Sequence, residues 1–224
     1  MNWSGRNVLI TGGAGHIGSH LAAELVKKGA NVRIADNLWR GKREYLFDES
    51  GNPIIDFGKN FLELDLREMK NCEKAVSGMD TIFHLADVVA GIDFIFGNEA
   101  FVYRSNILIN SNMFEAAHKA KLEKFAYVGA ACAYPLEKQN NPDQPLFKEE
   151  DMYPAHPESS YGWGKLMGEY ECELAQKEGH IETGILRLHN VYGPPGEMSP
   201  EKSQVIPALC RKAINHPEEE FVVW

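Results

Sequence analysis

Residues 8–18 read VLITGGAGHIG, an apolar run followed by glycines at the spacing G-x-x-G-x-x-G. The apolar run predicts a buried strand, and the pattern after the glycines predicts a helix that follows the turn directly. Glycines at this spacing allow a tight turn, a close approach of the backbone to a diphosphate, and close packing of helix on strand. The N–H groups at the start of the helix then face the anion. The residues expected at the phosphates of a dinucleotide are Gly12, Gly15, His16, Ile17 and Gly18.

An acid follows at the distance that such a turn requires. Asp36 lies 18 residues after Gly18, at the end of a second predicted strand. A carboxylate in this place accepts hydrogen bonds from the hydroxyls of the adenine ribose and repels a 2′-phosphate. NAD is therefore expected rather than NADP, although Arg40, Lys42 and Arg43 are near enough to leave NADP open.

The rest of the chain alternates short apolar runs with longer amphipathic segments. Strands are predicted at 8–10, 31–35, 61–64, 81–85, 125–128 and 181–188, and helices at 19–28, 69–77, 99–119, 159–177 and 203–215. This alternation predicts right-handed βαβ units and an α/β fold, a Rossmann-type doubly wound parallel sheet with helices on both faces. Two segments interrupt the pattern: 37–59, with mixed charge, and 135–157, where five prolines argue against a helix.

A chain of 224 residues accommodates one large domain, or one domain and part of a second. We expect a cofactor-binding Rossmann domain over residues 1–188 and the beginning of a small substrate-binding lobe over residues 189–224. The apolar residues 221–224 resemble the start of a strand, so the lobe is expected to be truncated.

Charge and composition exclude several classes of protein. The 23 Lys and Arg against 32 Asp and Glu give a net charge of −9, which argues against binding to nucleic acid or to an anionic membrane surface. No apolar run approaches the ~20 residues of a membrane span, and residues 1–7 carry no apolar leader. The four cysteines show no paired spacing, so neither disulfides nor a metal site is expected. A cytoplasmic protein is the resulting prediction.

A second motif carries the chemistry. Residues 160–165 read SYGWGK and place Tyr161 and Lys165 four residues apart on one face of a predicted helix. A cation beside a phenol favours the phenolate, so Lys165 is expected to lower the pKa of Tyr161. Tyr161 is then a candidate general base for a sugar hydroxyl, and later a candidate acid.

In combination, these motifs resemble the extended short-chain dehydrogenase/reductase family, the NAD-dependent sugar-nucleotide epimerases and dehydratases. The matching stretches are 11–20, 36–38, 64–66, 84–86, Asn106, 160–165 and 187–196. The resemblance implies that Lys165 also holds the nicotinamide ribose, that Asn106 supports a proton network, and that Asn190 lines the substrate side. Further residues that it places at the cofactor are Asn37, Asp65, Leu66, Leu85 and Ala86.

Within that family, stretches 86–98, 131–135, 154–157, 187–194 and 210–213 are most similar to the GDP-mannose 3,5-epimerases. In such enzymes oxidation at C4 acidifies the protons at C3 and C5, which an acid–base pair removes and returns. This likeness makes Cys132 one member of the pair and Lys202 a possible partner, and it places Asp87 at the substrate. A thiol serves as a base only if nearby charge lowers its pKa.

One position departs from the family. Ala130 stands where a Ser or Thr normally binds the C4 oxygen, and the loss of such a donor typically costs ~10²–10³ in rate. The leading hypothesis is an NAD-dependent epimerase of a GDP- or UDP-hexose. The alternatives are a 4-epimerase or dehydratase acting on a UDP- or dTDP-sugar, and a catalytically impaired NAD-binding protein. The family also implies a homodimer that pairs the helices at 99–119 and 159–177.

Overall fold

The computed structural model describes residues 2–140, 143, 145–179, 181–200 and 202–222. The strands are β1 (Asn7–Thr11), β2 (Asn31–Asp36), β3 (Phe61–Glu63), β4 (Thr81–His84), β5 (Lys124–Ala130) and β6 (Glu182–Leu188). All are parallel and form one sheet in the order β3-β2-β1-β4-β5-β6. The doubly wound fold predicted from the sequence is confirmed.

Helices connect the strands across both faces of the sheet. They are α1 (His16–Lys27), α2 (Phe57–Asn60), α3 (Met69–Val76), α4 (Ile92–Gly97), α5 (Glu99–Lys119), α6 (Leu136–Gln139), α7 (Ser160–Glu178) and α8 (Val205–Asn215). No helix in the described part of the chain is both long and apolar enough to span a bilayer.

Two apolar cores flank the sheet because alternate residues of a strand face opposite sides. Val8 and Ile10 of β1 belong to the core that also contains Leu25 of α1. Leu9 belongs to the other core, where Phe125 lies with apolar residues of α3, α5 and α7. Burial on both sides explains why residues 8–10 of β1 are all apolar.

The predicted elements lie close to the observed ones, with two corrections. The proline-rich segment 135–157 does contain one turn of α-helix, Leu136–Gln139, because no proline falls between 135 and 142 and Pro135 occupies the N-cap position. The strand predicted at 221–224 is not present in its described part, since Phe221 and Val222 are irregular. Val223 and Trp224 lie outside the described residues.

Candidate cofactor and catalytic site

A cleft of about 690 Å³ opens at the carboxyl ends of β1, β2, β4 and β5. It lies where the strand order reverses between β1 and β4, the place at which doubly wound sheets bind ligands. Most of the residues predicted for cofactor, substrate or catalysis line it: Gly12, Gly15, His16, Ile17, Gly18, Asp36, Asn37, Asp65, Leu66, Leu85, Ala86, Asp87, Cys132, Tyr161, Lys165 and Asn190.

The glycine turn forms the floor of the cleft. Gly12 has a φ of +67°, and a Cβ there would lie 2.9 Å from the backbone nitrogen of Ala86. A Cβ on Gly18 would overlap the Gly12 carbonyl oxygen. The turn therefore packs so tightly against itself and against the end of β4 that only glycine fits at these two positions.

The start of α1 is suited to an anion. Gly15 is the N-cap and supplies no side-chain cap, and the first turn of the helix contains no acidic residue. The first N–H groups of a helix have no acceptor within the helix, and together with the helix dipole they attract negative charge. An open helix start beside a glycine turn fits the diphosphate of a dinucleotide.

Asp36 lies next to this turn, at the end of β2. Its Oδ2 accepts a hydrogen bond from the Ala14 amide (3.0 Å), and its Oδ1 accepts one from the Leu38 amide (2.8 Å). Burial raises the pKa of this carboxyl, while the two amide donors oppose the rise. A carboxylate has about four acceptor sites, so Asp36 retains capacity for ribose hydroxyls. The Asp65 carboxylate, in contrast, is paired with Arg67 (2.6 Å), and its carbonyl oxygen accepts a hydrogen bond from Asn71 Nδ2 (2.9 Å).

Tyr161 and Lys165 lie on one face of α7, as their spacing predicts. The Lys165 ammonium is buried, 2.5 Å from Oδ2 of Asp87 and 2.7 Å from the carbonyl oxygen of Val128. It lies 5.6 Å from the centre of the Tyr161 ring.

The expected lowering of the Tyr161 pKa is wrong for this arrangement. Burial raises the pKa of Tyr161 well above its ordinary value, and the Asp87 carboxylate adds to the rise. Asp87 cancels the charge of Lys165, so the phenol no longer faces a net cation. The sequence motif identified the pair but not its counter-ion.

Comparison with known proteins agrees with this geometry. The profile of the family described as NAD dependent epimerase/dehydratase matches residues 8–224. The chain belongs to this family. The resemblance inferred from the sequence is thereby confirmed.

Individual relatives act on different nucleotide sugars. GDP-mannose 3,5-epimerase of Arabidopsis thaliana is 36% identical over 99% of this chain and 57% of its own length. UDP-N-acetylglucosamine 4-epimerase of Methanobrevibacter ruminantium superposes with a TM-score of 0.79 at 27% identity, covering 99% of this chain and 66% of that one. UDP-glucose 4-epimerase of Thermus thermophilus, solved in complex with NAD, gives a TM-score of 0.71 at 27% identity over 86% and 58%. The chain thus spans 57–66% of the length of these three proteins.

Cys132 lies in a short 3₁₀ helix (Ala131–Ala133) after β5 and lines the same cleft as Tyr161. Burial raises the pKa of its thiol to about 11, and Lys165 opposes this rise only in part. At neutral pH the group is therefore a protonated thiol, which is suited to donate a proton rather than to remove one. Ala130 also lines the cleft and presents no hydrogen-bonding side chain there.

Two residues predicted for the family's active site lie outside the cleft lining. Asn106 is fully buried and uses both ends of its amide on Val88, accepting from its N–H (2.7 Å) and donating to its C=O (3.2 Å). It therefore fixes the loop that carries Asp87. Lys202 donates to the carbonyl oxygen of Trp39 (2.7 Å), three residues after Asp36.

His16 lines the cleft, but its imidazole points to a later segment. Its Nδ1 donates to the carbonyl oxygen of Pro195 (2.7 Å), and Nε2 of His20 donates to that of Pro194 (2.8 Å). Two histidines one helical turn apart thus hold residues 194 and 195 against α1. In the described part of the chain, no group of three or more His, Cys, Asp or Glu side chains is placed to hold a metal ion.

Sequence reasoning missed a buried ion pair behind the site. Glu169 of α7 contacts Arg187 of β6 through Oε2 at 2.9 Å, and the Glu169 side chain is only 4% exposed. The sequence did contain a pattern that could have identified Glu169. It follows Lys165 by four residues and therefore shares the helical face of Tyr161 and Lys165. The pair ties the catalytic helix to the edge strand.

A buried polar chain also joins the glycine turn to α7. Thr11 Oγ1 donates to His84 Nδ1 (2.7 Å), His84 Nε2 donates to Asn110 (3.0 Å), Asn110 donates to the Tyr127 hydroxyl (3.3 Å), and that hydroxyl donates to the Lys165 carbonyl (3.4 Å). Burial lowers the pKa of His84 to about 3, so the ring is neutral and its tautomer follows from these partners.

Proposed function

We propose that this chain binds NAD in the cleft and serves in the epimerisation of a nucleotide sugar through a 4-keto sugar. The observation that carries the proposal is one cleft with a phosphate-binding turn on one side and Tyr161, Lys165 and Cys132 on the other. When bound, NAD supplies the acceptor for a hydride from C4 and its later donor. Asp36 supports NAD over NADP by repelling a 2′-phosphate.

Tyr161 is the proposed acid and base at the C4 hydroxyl. Its side chain lies in the cleft and on the helical face of Lys165, where the deprotonated phenolate would accept the hydroxyl proton as the carbonyl forms and the resulting phenol would return it afterwards. Lys165, paired with Asp87, lies 5.6 Å from the centre of the Tyr161 ring. Asn106 positions the loop between Leu85 and Val88 and has no contact with the reacting atoms in this role.

Cys132 extends the proposal to C3 and C5. A 4-keto group acidifies the neighbouring C–H bonds; once a base has removed such a proton, the Cys132 thiol is suited to protonate the carbanion, and its thiolate then regains a proton from solvent. The similarity to GDP-mannose 3,5-epimerase supports this assignment and makes a GDP-hexose the first substrate to test. The UDP-sugar 4-epimerases that share the fold make a UDP-hexose the alternative.

Deuterium incorporation tests the proposal. The purified chain is incubated with GDP-, UDP- and dTDP-hexoses in D₂O, and mass spectrometry follows both the epimers and their deuterium. We expect a new epimer with carbon-bound deuterium. Cys132→Ala is expected to reduce the incorporation at least ~100-fold, the usual size of a lost general acid–base group. Cys210→Ala, an exposed cysteine outside the cleft, serves as the matched control.

Each other result selects an alternative. A new epimer without deuterium, unaffected by Cys132→Ala, indicates a 4-epimerase and contradicts the 3,5-epimerase. No new sugar from the wild type but turnover after Ala130→Ser indicates an enzyme impaired at that position. No turnover from either protein, with NAD bound, indicates a cofactor-binding protein without this activity.

We also propose that the chain divides into a cofactor domain over residues 1–188 and a substrate-lobe segment over residues 189–224.

We further propose that the chain forms a homodimer. Helices α5 and α7 contact each other and leave large apolar side chains exposed. These side chains are Phe101, Tyr103, Leu108, Trp163, Tyr170 and Leu174, with exposures between 36% and 49%. Such a face supports pairing with a second copy.

A further inference from the structure

The ion pair between Asp87 and Lys165 is the most deeply buried of those in the described residues, with the two side chains 2% and 5% exposed. Oδ1 of Asp87 has no hydrogen-bond partner there. Burying two charges in this way contributes little net stability, because the loss of hydration offsets the attraction. Stability of the fold therefore does not explain why these two charges are buried together.

The surroundings of Tyr161 indicate what the pair does. Asp87 after β4, Tyr127 on β5, Cys132 after β5 and Arg40 after β2 act on the pKa of the phenol, and the Lys165 ammonium on its own helix lies 5.6 Å from the ring centre. Asp87 and Lys165 carry opposite charges in contact. Seen from Tyr161, their fields largely cancel.

We propose that Asp87 is a positioning residue that holds the Lys165 ammonium against Val128 and cancels its charge beside Tyr161, so that Asp87 sets the pH at which the phenol gains or loses a proton. The functional meaning of this inference rests on the proposed function, since it concerns the residue assigned to the C4 hydroxyl. The sequence assigned Asp87 to the substrate. In the structure, Asp87 instead contacts Lys165.

The ionisation of Tyr161 is measurable in the protein without cofactor or substrate. Tyrosinate absorbance near 295 nm is followed against pH in the wild type, in Asp87→Asn, in Lys165→Met and in the double variant. Each titration is repeated with Tyr161→Phe, so that the difference isolates this one tyrosine among the eight. Circular dichroism across the same pH range checks that each variant remains folded.

Asp87→Asn leaves the cation uncompensated and is expected to shift the ionisation of Tyr161 to lower pH by roughly one unit or more, the usual effect of a cation within 4–6 Å. Lys165→Met is expected to shift it to higher pH. The double variant is expected to return close to the wild type, because it removes both charges. The double variant is also expected to fold, because neutral replacement of both partners of a buried ion pair is often tolerated.

An unchanged Tyr161 titration in folded Asp87→Asn would overturn the inference, as would a double variant that titrates with either single variant. This outcome is distinct from failure of the proposed function, because the titration needs no turnover. If an active sugar is found, the pH profile of kcat/KM should move to lower pH in Asp87→Asn. A purely structural role would reduce activity without moving that profile.

Discussion

Gly18→Ala is expected to weaken NAD binding roughly 10- to 100-fold, the equivalent of one lost charge-assisted hydrogen bond of about 1.5–3 kcal/mol. The new Cβ overlaps the Gly12 carbonyl oxygen and lies 2.7 Å from Gly13 Cα, so the turn must move. All of these neighbours are backbone atoms, which cannot rotate away. The N–H groups at the start of α1 then lose their alignment with the diphosphate.

Calorimetric titration of NAD into wild type and variant measures this loss. Gly97→Ala is the matched control, because a Cβ there meets no atom within 4 Å. The overpacked turn is also expected to lower the free energy of unfolding by about 1–3 kcal/mol. NAD affinity that survives Gly18→Ala unchanged would place the diphosphate elsewhere.

Glu169→Gln is expected to lower the free energy of unfolding by about 3 kcal/mol, within the range found when one partner of a buried ion pair is removed. The Glu169 carboxylate accepts hydrogen bonds from Nε of Arg187 at 2.9 and 3.2 Å. Gly129 leaves room for this carboxylate, since a Cβ at position 129 would lie 2.5 Å from Oε1 of Glu169. The neutral amide leaves Arg187 (side chain 21% exposed) without a counter-charge. Urea denaturation measures the change.

An exposed pair provides the comparison. Arg6 and Glu123 are 2.7 Å apart, with side chains 43% and 56% exposed, so Glu123→Gln should cost less than about 1 kcal/mol. Glu169→Leu combined with Arg187→Met should recover most of the stability, because no buried charge remains. Equal small losses for Glu169→Gln and Glu123→Gln would show that the buried pair does not anchor α7 to β6.

Local spacing was sufficient to predict the sheet, the glycine turn before α1, the place of Asp36 at the end of β2, and the shared helical face of Tyr161 and Lys165. Each depends on residues close in sequence: a strand followed by glycines, or two side chains four residues apart on a helix. Helix α5 was predicted at its observed limits, 99–119.

Contacts between distant segments were not predictable in the same way. Lys165 pairs with Asp87, 78 residues earlier, and nothing in either local pattern specifies the partner. Burial of the phenol, together with the Asp87 carboxylate that this pairing brings near it, raises the pKa of Tyr161, so its direction was predicted with the wrong sign. Asn106 is bound to Val88 and Lys202 to Trp39 for the same reason: the tertiary fold, rather than the motif, determines which way a side chain turns.

Titration of the purified chain with NAD and with NADP, followed by calorimetry, is the first measurement to make. We expect one NAD per chain and NADP at least ~10-fold weaker, because a carboxylate at the end of β2, such as Asp36, repels a 2′-phosphate. Absence of binding by either dinucleotide would contradict the assignment of this cleft and with it the proposed chemistry at Tyr161, and tighter binding of NADP would contradict the role given to Asp36.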